Sequence, residues 1–186
     1  MKHGLETLRI ALESAPGIGV KAELSRLVPF VDLASNDPTN WLFASGKPNR
    51  YNPAGVECVY FGETREVAQA EYDSMWKGVP ASHQPVTTFF ADVSLKRVLD
   101  LMDAATLRVM KVDAKELFKK WRRARYPTLT QLLGQAVNDI HDFSAIRYPS
   151  AALAGHANLV IFRDCVRMPD SVRILGPTRK PLQKWP

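Results

Sequence analysis

Residues 49–71 read NRYNPAGVECVYFGETREVAQAE, and this stretch carries the clearest structural signals of the 186-residue chain. Residues 56–61 form an apolar, β-branched and aromatic run between two glycines, which predicts a buried strand. Residues 64–75 follow with apolar positions and Glu71 on one stripe at the 3.6-residue period, which predicts a helix. The preceding residues 36–55 are dense in Asn, Pro, Gly and Ser, so we predict a long loop there.

Three residues with reactive or charged side chains fall on these neighbouring elements. Arg50 lies in the loop, Tyr60 on the strand and Glu71 on the helix, so local structure can bring them together around one cleft. Spacing alone leaves two interpretations open, a functional site or a salt-bridge network that only supports the fold. Ser150, within Tyr148-Pro149-Ser150, is by its local sequence a turn residue.

The remaining elements are distributed along the whole chain. Helices are predicted at residues 5–12, 112–125 and 128–140, and a turn at residues 16–19. Strands are predicted at residues 27–31, 86–93, 96–100, 143–147, 158–163 and 172–175. Because strands and helices are intermixed without a regular βαβ alternation, we expect one α+β domain over residues 1–186.

Composition and charge restrict the class of protein. With 46% hydrophobic and 24% charged residues, the chain has the balance of an ordinary soluble globule, and the absence of a signal sequence or long apolar stretch predicts a cytoplasmic protein without membrane contact. Cys58 and Cys165 are far apart and are expected to be reduced thiols. The four histidines show no ligand spacing, so we predict no metal site.

The net charge of +6 admits an anionic partner, which could be nucleic acid, a nucleotide or an acidic protein. Neither nucleotide-binding glycine motif is complete at Gly17-Ile18-Gly19 or Gly46-Lys47. A dinucleotide would therefore need arginine side chains to neutralise its pyrophosphate.

A basic stretch between residues 111 and 125 offers the main alternative. Lys111, Lys115, Lys119 and Arg123 recur at every fourth residue, which predicts that they line one face of a helix, with Phe118 and Trp121 interleaved. This face could be solvated, could bind nucleic acid, or could dock an acidic protein.

Three blocks of sequence resemble the RES domain, which is named for arginine, glutamate and serine. The family core, R-[WY]-N-P-x-G followed by a strand ending in tyrosine and a helix carrying glutamate, is similar to Arg50–Gly55, Tyr60 and Glu71. The third block comprises Ile146, Arg147, Tyr148, Pro149, Ser150 and Ala151, with Gly155, Asn158, Leu159 and Phe162 following. Arg26 fits the family's upstream arginine, and Pro48-Asn49 stand where the family commonly has two glycines.

This resemblance implies a fold similar to mono-ADP-ribosyltransferases, a small split-sheet domain with flanking helices that holds NAD as its substrate. By analogy, Arg26 and Arg50 would hold the phosphates, and Glu71 would serve the reaction centre. The implied catalytic set is Glu71, Arg50 and Ser150. The implied NAD-binding set is Arg26, Arg50, Tyr51, Tyr60 and Ser150, with Tyr60 orienting the nicotinamide end and Ser150 positioning substrate or Glu71.

The implied chemistry suits these residue types. Nicotinamide leaves NAD as a neutral molecule, so no general acid is needed, and one carboxylate at Glu71 could stabilise the oxocarbenium-like ribose by about 3 kcal/mol.

The acceptor of ADP-ribose decides the reaction. A protein acceptor, such as phosphoribosyl pyrophosphate synthetase in the ParT-like branch, is favoured here, while water or phosphate would make the chain a NAD hydrolase or phosphorylase. The resemblance further implies a toxin silenced by an Xre-like or ParS-like antitoxin, with nucleic acid contacted only through that antitoxin. A basic nucleic-acid-binding module and an inactive partner protein remain the alternatives.

Overall fold

The structure is a computed structural model that describes residues 4–34, 42, 48–75, 85–122 and 124–186. The helices are α1 (Leu5–Glu13), α2 (Phe30–Leu33), α3 (Arg65–Met75), α4 (Ala104–Val109) and α5 (Leu129–Ile140). The strands are β1 (Gly17–Pro29), β2 (Cys58–Gly62), β3 (Val86–Asp100), β4 (Ala145–Pro149), β5 (Ala157–Phe162), β6 (Ser171–Leu175) and β7 (Pro181–Trp185). Short 3-10 helices span Ala114–Phe118 and Arg163–Cys165.

The strands form one mixed sheet in the order β1-β2-β5-β4-β3-β6-β7. Within the described ranges only the β3–β4 pairing is parallel, and β1 also pairs along nearly the whole length of β3. Because β1 also reaches β2, where Ser25 lies opposite Gly62, strands β1, β2, β5, β4 and β3 close into a ring. The mixture of strands and helices predicted from the sequence is confirmed, and a doubly wound parallel sheet is excluded.

Alternating side chains of the ring pack into two hydrophobic clusters. On β5, Leu159 and Ile161 join a cluster made mainly of strand residues, whereas Val160 and Phe162 join the cluster that contains Leu8 of α1 and other helix residues. All six residues of β5 are buried. Burial on both faces explains why this strand reads as a continuous apolar run rather than as an alternating pattern.

Several predicted elements are wrong in their boundaries. The turn expected at residues 16–19 belongs to β1 from Gly17 onward, because Gly17 pairs with Leu99 of β3. The strands expected at residues 86–93 and 96–100 are one strand of 15 residues. Strand β7, which pairs with β6 at the end of the chain, was not predicted.

The helix expected at residues 112–125 is also wrong. Lys111 has a left-handed backbone with φ 54°, and Asp113 accepts a hydrogen bond from the Lys115 N–H, so the chain starts only a 3-10 turn there. This turn ends at Lys119, whose backbone is extended. Lys111, Lys115 and Lys119 therefore do not line one helix face, and Arg123 lies outside the described residues.

The loop predicted at residues 36–55 is described only at residue 42 and from residue 48 onward, where it contains neither helix nor strand. Among the described residues, no helix has the length and apolar character needed to cross a bilayer.

Candidate functional site

A cleft of about 780 Å³ opens beside β1, β2 and α3. Its lining residues are Ser25, Arg26, Leu27, Asn49, Arg50, Tyr60, Phe61, Gly62, Ala68, Glu71, Tyr72, Ser74, Met75, Phe118, Lys120, Trp121, Arg122, Tyr148, Ala151 and Asn158. Among the described residues, the lining contains four cations and one carboxylate, that of Glu71. The cleft is therefore suited to an anionic ligand.

The carboxylate of Glu71 is fixed by three hydrogen bonds that all reach Oε1. The Ser150 hydroxyl donates at 2.6 Å, the Asn158 Nδ2 at 2.8 Å and the Ala151 backbone N–H at 3.1 Å. In the described part of the chain, Oε2 receives no hydrogen bond. One oxygen thus sets the orientation of the group, and the other remains available to a ligand in the cleft.

Helix α3 carries Glu71 because its first turn packs closely on β2. A side chain at Gly62 would place a Cβ atom 2.7 Å from the Ala68 backbone nitrogen, so only glycine permits this approach. The Thr64 hydroxyl accepts a hydrogen bond from the Val67 N–H at 3.3 Å and caps the start of the helix.

Ser150 is buried behind Glu71 rather than exposed in the cleft. Its hydroxyl oxygen also accepts hydrogen bonds from the backbone N–H groups of Ala152 and Leu153, at 3.2 and 3.0 Å. These contacts make Ser150 the organising residue of the loop between β4 and β5. Of the two roles expected for this serine, the geometry favours positioning of Glu71.

Both predicted phosphate-binding arginines line the cleft, where they also contact main-chain carbonyls. The Arg26 guanidinium donates to the Tyr60 carbonyl at 3.0 Å, and the Arg50 guanidinium donates to the Leu117 carbonyl at 2.8 Å. Burial lowers the pKa of Arg26 from its ordinary value. An anionic ligand would compensate for this burial of a positive charge.

The two predicted tyrosines differ in position. Tyr60 lines the cleft, and its hydroxyl donates to Asn52 Oδ1 at 2.8 Å while accepting from the Tyr51 N–H at 2.9 Å. Tyr51 is fully buried and packs against Tyr148, with ring centroids 4.4 Å apart and the ring planes tilted by 42°. The structure does not place Tyr51 in the cleft, because its ring points into the core below the site; its predicted NAD contact is corrected to a supporting position.

Helix α5 holds the loop that carries Arg50. The Gln131 side chain donates to the Asn49 carbonyl at 3.0 Å, and it also forms a capping box with Thr128. A Cβ atom at Gly134 would lie 1.6 Å from the Tyr51 carbonyl oxygen, so the loop packs directly on the helix backbone.

A charged cluster supports the other end of the loop between β4 and β5. Arg147 pairs with Asp100 at 3.2 Å and with Glu63 at 3.4 Å, and the His156 ring contacts Glu63 at 3.0 Å. Partial burial works to raise the pKa of Glu63, but hydrogen bonds from the Ala157 backbone, His156 and Arg147 outweigh it and leave this pKa below its ordinary value.

The sequence interpretation gave no role to several residues that the structure brings to the cleft. Asn158 and Tyr148 were quoted only as part of the third sequence block, although Asn158 contacts Glu71 directly. Both could have been found from the alternation of side chains along β4 and β5, because Tyr148 lies opposite Asn158 in this pair of strands. Trp121 was assigned to a helix that does not form.

The two cysteines do not line the cleft. Cys58 and Cys165 are free thiols, as expected, and burial raises the pKa of each to about 12. Among the described residues, no cluster of three or more His, Cys, Asp or Glu side chains could hold a metal ion.

Comparison with known proteins concerns both fold and family. The structure is similar to a chain of the M. tuberculosis MbcT–MbcA toxin–antitoxin complex, with a TM-score of 0.66 and 14% identity over 98% of this chain and 93% of that chain. No curated protein sequence matches. The sequence model of the RES domain matches residues 29–181, so Arg26 lies just upstream of the matched region. This match covers most of the chain, which therefore belongs to the RES domain family.

Proposed function

We propose that this protein is a toxin that breaks the bond between nicotinamide and ribose in NAD and transfers ADP-ribose to a protein acceptor. The observation that carries the proposal is the Glu71 carboxylate, held by three donors at one oxygen in a cleft that also contains Arg26 and Arg50. A fixed anion beside two cations matches a substrate that develops positive charge next to a pyrophosphate.

The chemistry requires one carboxylate and no proton donor for the leaving group. As the glycosidic bond lengthens, its electron pair moves to the nicotinamide nitrogen, which leaves neutral, and positive charge grows on the ribose. Oε2 of Glu71 would stabilise that charge directly or would accept a hydrogen bond from a ribose hydroxyl. Preorganised electrostatic contacts of this kind contribute about 3 kcal/mol in other enzymes.

The arginines would bind the phosphates. A guanidinium group has five N–H donors, so Arg50 can keep its bond to the Leu117 carbonyl and still donate to a phosphate oxygen. Burial lowers the pKa of Arg26, and an anionic occupant of the cleft would favour the charged form of this side chain. Tyr60 would orient the nicotinamide end by presenting its ring at the cleft surface.

The acceptor defines the product. A protein side chain, with phosphoribosyl pyrophosphate synthetase as the named candidate, would give an ADP-ribosylated protein. Water would give free ADP-ribose and phosphate would give a phosphorylated ADP-ribose, and these outcomes make the chain a NAD hydrolase or phosphorylase.

Product analysis tests the reaction and the acceptor together. Purified protein is incubated with isotopically labelled NAD in buffer, in buffer with phosphate, and in a cell extract, with Glu71→Gln as the blank. We expect nicotinamide release by the wild type in the extract and label on one protein band. Label only in free or phosphorylated ADP-ribose would replace the transferase assignment, and no nicotinamide release by folded wild type would refute the proposed reaction.

We also propose that a cognate Xre-like or ParS-like antitoxin silences the protein. The fold similarity to a chain of a toxin–antitoxin complex supports this role. Induced expression of the wild type should arrest growth, whereas Glu71→Gln should not, and co-expression of an Xre-like or ParS-like antitoxin that binds the protein should restore growth. Equal toxicity of the wild type and the Glu71 variant would contradict a toxicity that depends on this site.

A further inference from the structure

Part of the basic stretch forms a wall of the cleft that the bond-breaking chemistry leaves without a role. Lys120, Trp121 and Arg122 line the cleft, whereas Lys111 and Lys115 do not. The 3-10 helix that precedes this wall is anchored by Leu117, which is buried in the core cluster below the site. The wall therefore follows directly on an anchored turn and faces the cleft, unlike Lys111 and Lys115.

The position of this wall relative to Glu71 follows from a chain of interactions. Glu71, Arg50 and Tyr148 all line this cleft. Arg50 then bonds the Leu117 carbonyl, three residues before Lys120. The cleft thus extends from Glu71, past Arg50, to Trp121.

The chemistry of the wall suits a phosphorylated purine. Trp121 is half-buried, so part of its side chain is accessible to a ligand without a conformational change. The Arg122 guanidinium lies over the Trp121 ring, 5.4 Å from its centroid, so a cation and an aromatic ring stand together in this wall of the cleft. Flanking cations and an aromatic platform are the combination that binds nucleotides through base stacking and phosphate contact.

We propose that Lys120, Trp121 and Arg122 form the subsite for the adenylate half of the dinucleotide. Trp121 stacks on the purine base, and Arg122 and Lys120 contact the phosphate on the adenosine side. The assignment of that adenylate to NAD rests on the proposed function, but the subsite itself makes a prediction about any adenine mononucleotide.

The test uses AMP, which carries the base, the ribose and one phosphate but no nicotinamide. Binding is measured by saturation-transfer and titration NMR for the wild type, Trp121→Ala, Trp121→Phe and the control Lys115→Gln. We expect Trp121→Ala to weaken AMP binding about tenfold or more, Trp121→Phe to retain most of it, and Lys115→Gln to leave it unchanged. Thermal unfolding of each variant verifies that it is folded.

A second comparison separates the base from the phosphate. Arg122→Gln should weaken binding of AMP but not of adenosine, because only AMP carries the charge that the guanidinium contacts. Equal AMP binding by the wild type and Trp121→Ala, or absence of AMP binding by the wild type, overturns the subsite. Tight binding of a single-stranded oligonucleotide with no binding of AMP would also overturn it and assign the wall to nucleic acid.

Turnover of NAD distinguishes failure of this inference from failure of the proposed function. If the wild type releases nicotinamide while Trp121→Ala binds AMP normally, the proposed reaction stands and the subsite fails. If AMP binding depends on Trp121 while the wild type releases no nicotinamide, the subsite stands and the proposed reaction fails. Where both hold, Trp121→Ala should raise KM for NAD far more than it lowers kcat.

Discussion

Replacement of Ser150 by alanine tests how far the orientation of Glu71 controls turnover. The change removes the donor that lies 2.6 Å from Glu71 Oε1, and it also removes the acceptor of the Ala152 and Leu153 N–H groups. The Asn158 amide and the Ala151 N–H remain as donors to Glu71. A hydrogen bond to a charged group contributes about 1.5–3 kcal/mol, which corresponds to a fall in kcat of about 10- to 150-fold if the contact acts in the transition state. Because two donors remain, residual turnover is expected.

The assay is the initial rate of nicotinamide release from NAD, and the chain offers a matched control. The Ser74 hydroxyl donates to the backbone carbonyl of Glu71 at 2.8 Å, so Ser74→Ala removes a serine contact to the same residue without touching its carboxylate. We expect Ser74→Ala to change kcat less than about threefold. Equal rates for Ser150→Ala and Ser74→Ala, in variants that are both folded, would refute the argument that Ser150 orients the carboxylate.

Three further predictions concern stability and reactivity. Gly134→Ala should lower the thermal unfolding midpoint, because the new Cβ atom would lie 1.6 Å from the Tyr51 carbonyl oxygen. The same change ordinarily stabilises a helix by about 1 kcal/mol. A raised midpoint in calorimetry would therefore contradict the close packing of Tyr51 on this helix. Cys58 and Cys165 have pKa values of about 12, so at about pH 8 they should resist iodoacetamide in the native protein and react with it in denaturant. Mass spectrometry measures this labelling. Rapid labelling of the native protein would contradict the burial of the two thiols. The pKa of Glu63 in the folded protein lies below 4.5, so its carboxylate should stabilise the fold above that pH and lose this effect as the pH falls through the pKa of the folded protein. The thermal unfolding midpoints of Glu63→Gln at neutral and acidic pH should therefore differ less than those of the wild type. An unchanged difference would exclude this contribution.

The part of the site that the sequence predicted correctly is the part built by local structure. The buried strand β2 and helix α3 follow from an apolar run and a 3.6-residue period within a few residues of each other. Their order along the chain is enough to place Tyr60 and Glu71 at one cleft. The family resemblance then added Ser150, which lies 79 residues from Glu71 in sequence and at hydrogen-bond distance in the structure.

The parts that the sequence did not predict depend on long-range pairing or on single backbone conformations. Gly17 and Gly19 belong to strand β1 because Gly17 pairs with Leu99 of β3. The local sequence around the two glycines gives no information about this distant partner. The fourfold spacing of lysines at residues 111–119 indicated a helix, yet the cap formed by Asp113 starts a 3-10 turn. Tyr51 was assigned to the ligand by its place in a motif, whereas burial against Tyr148 is decided by the packing of α5.

Parallel measurement of NAD binding and NAD turnover by Glu71→Gln tests whether the charge of this carboxylate drives the reaction. The amide has nearly the same size as the carboxylate and can accept the Ser150 hydrogen bond through its oxygen, but it carries no charge. We expect this variant to bind NAD within about threefold of the wild-type affinity and to release nicotinamide at least about 100-fold more slowly. Nicotinamide release at the wild-type rate by the folded variant would contradict the role of Glu71 as the anion that stabilises the transition state.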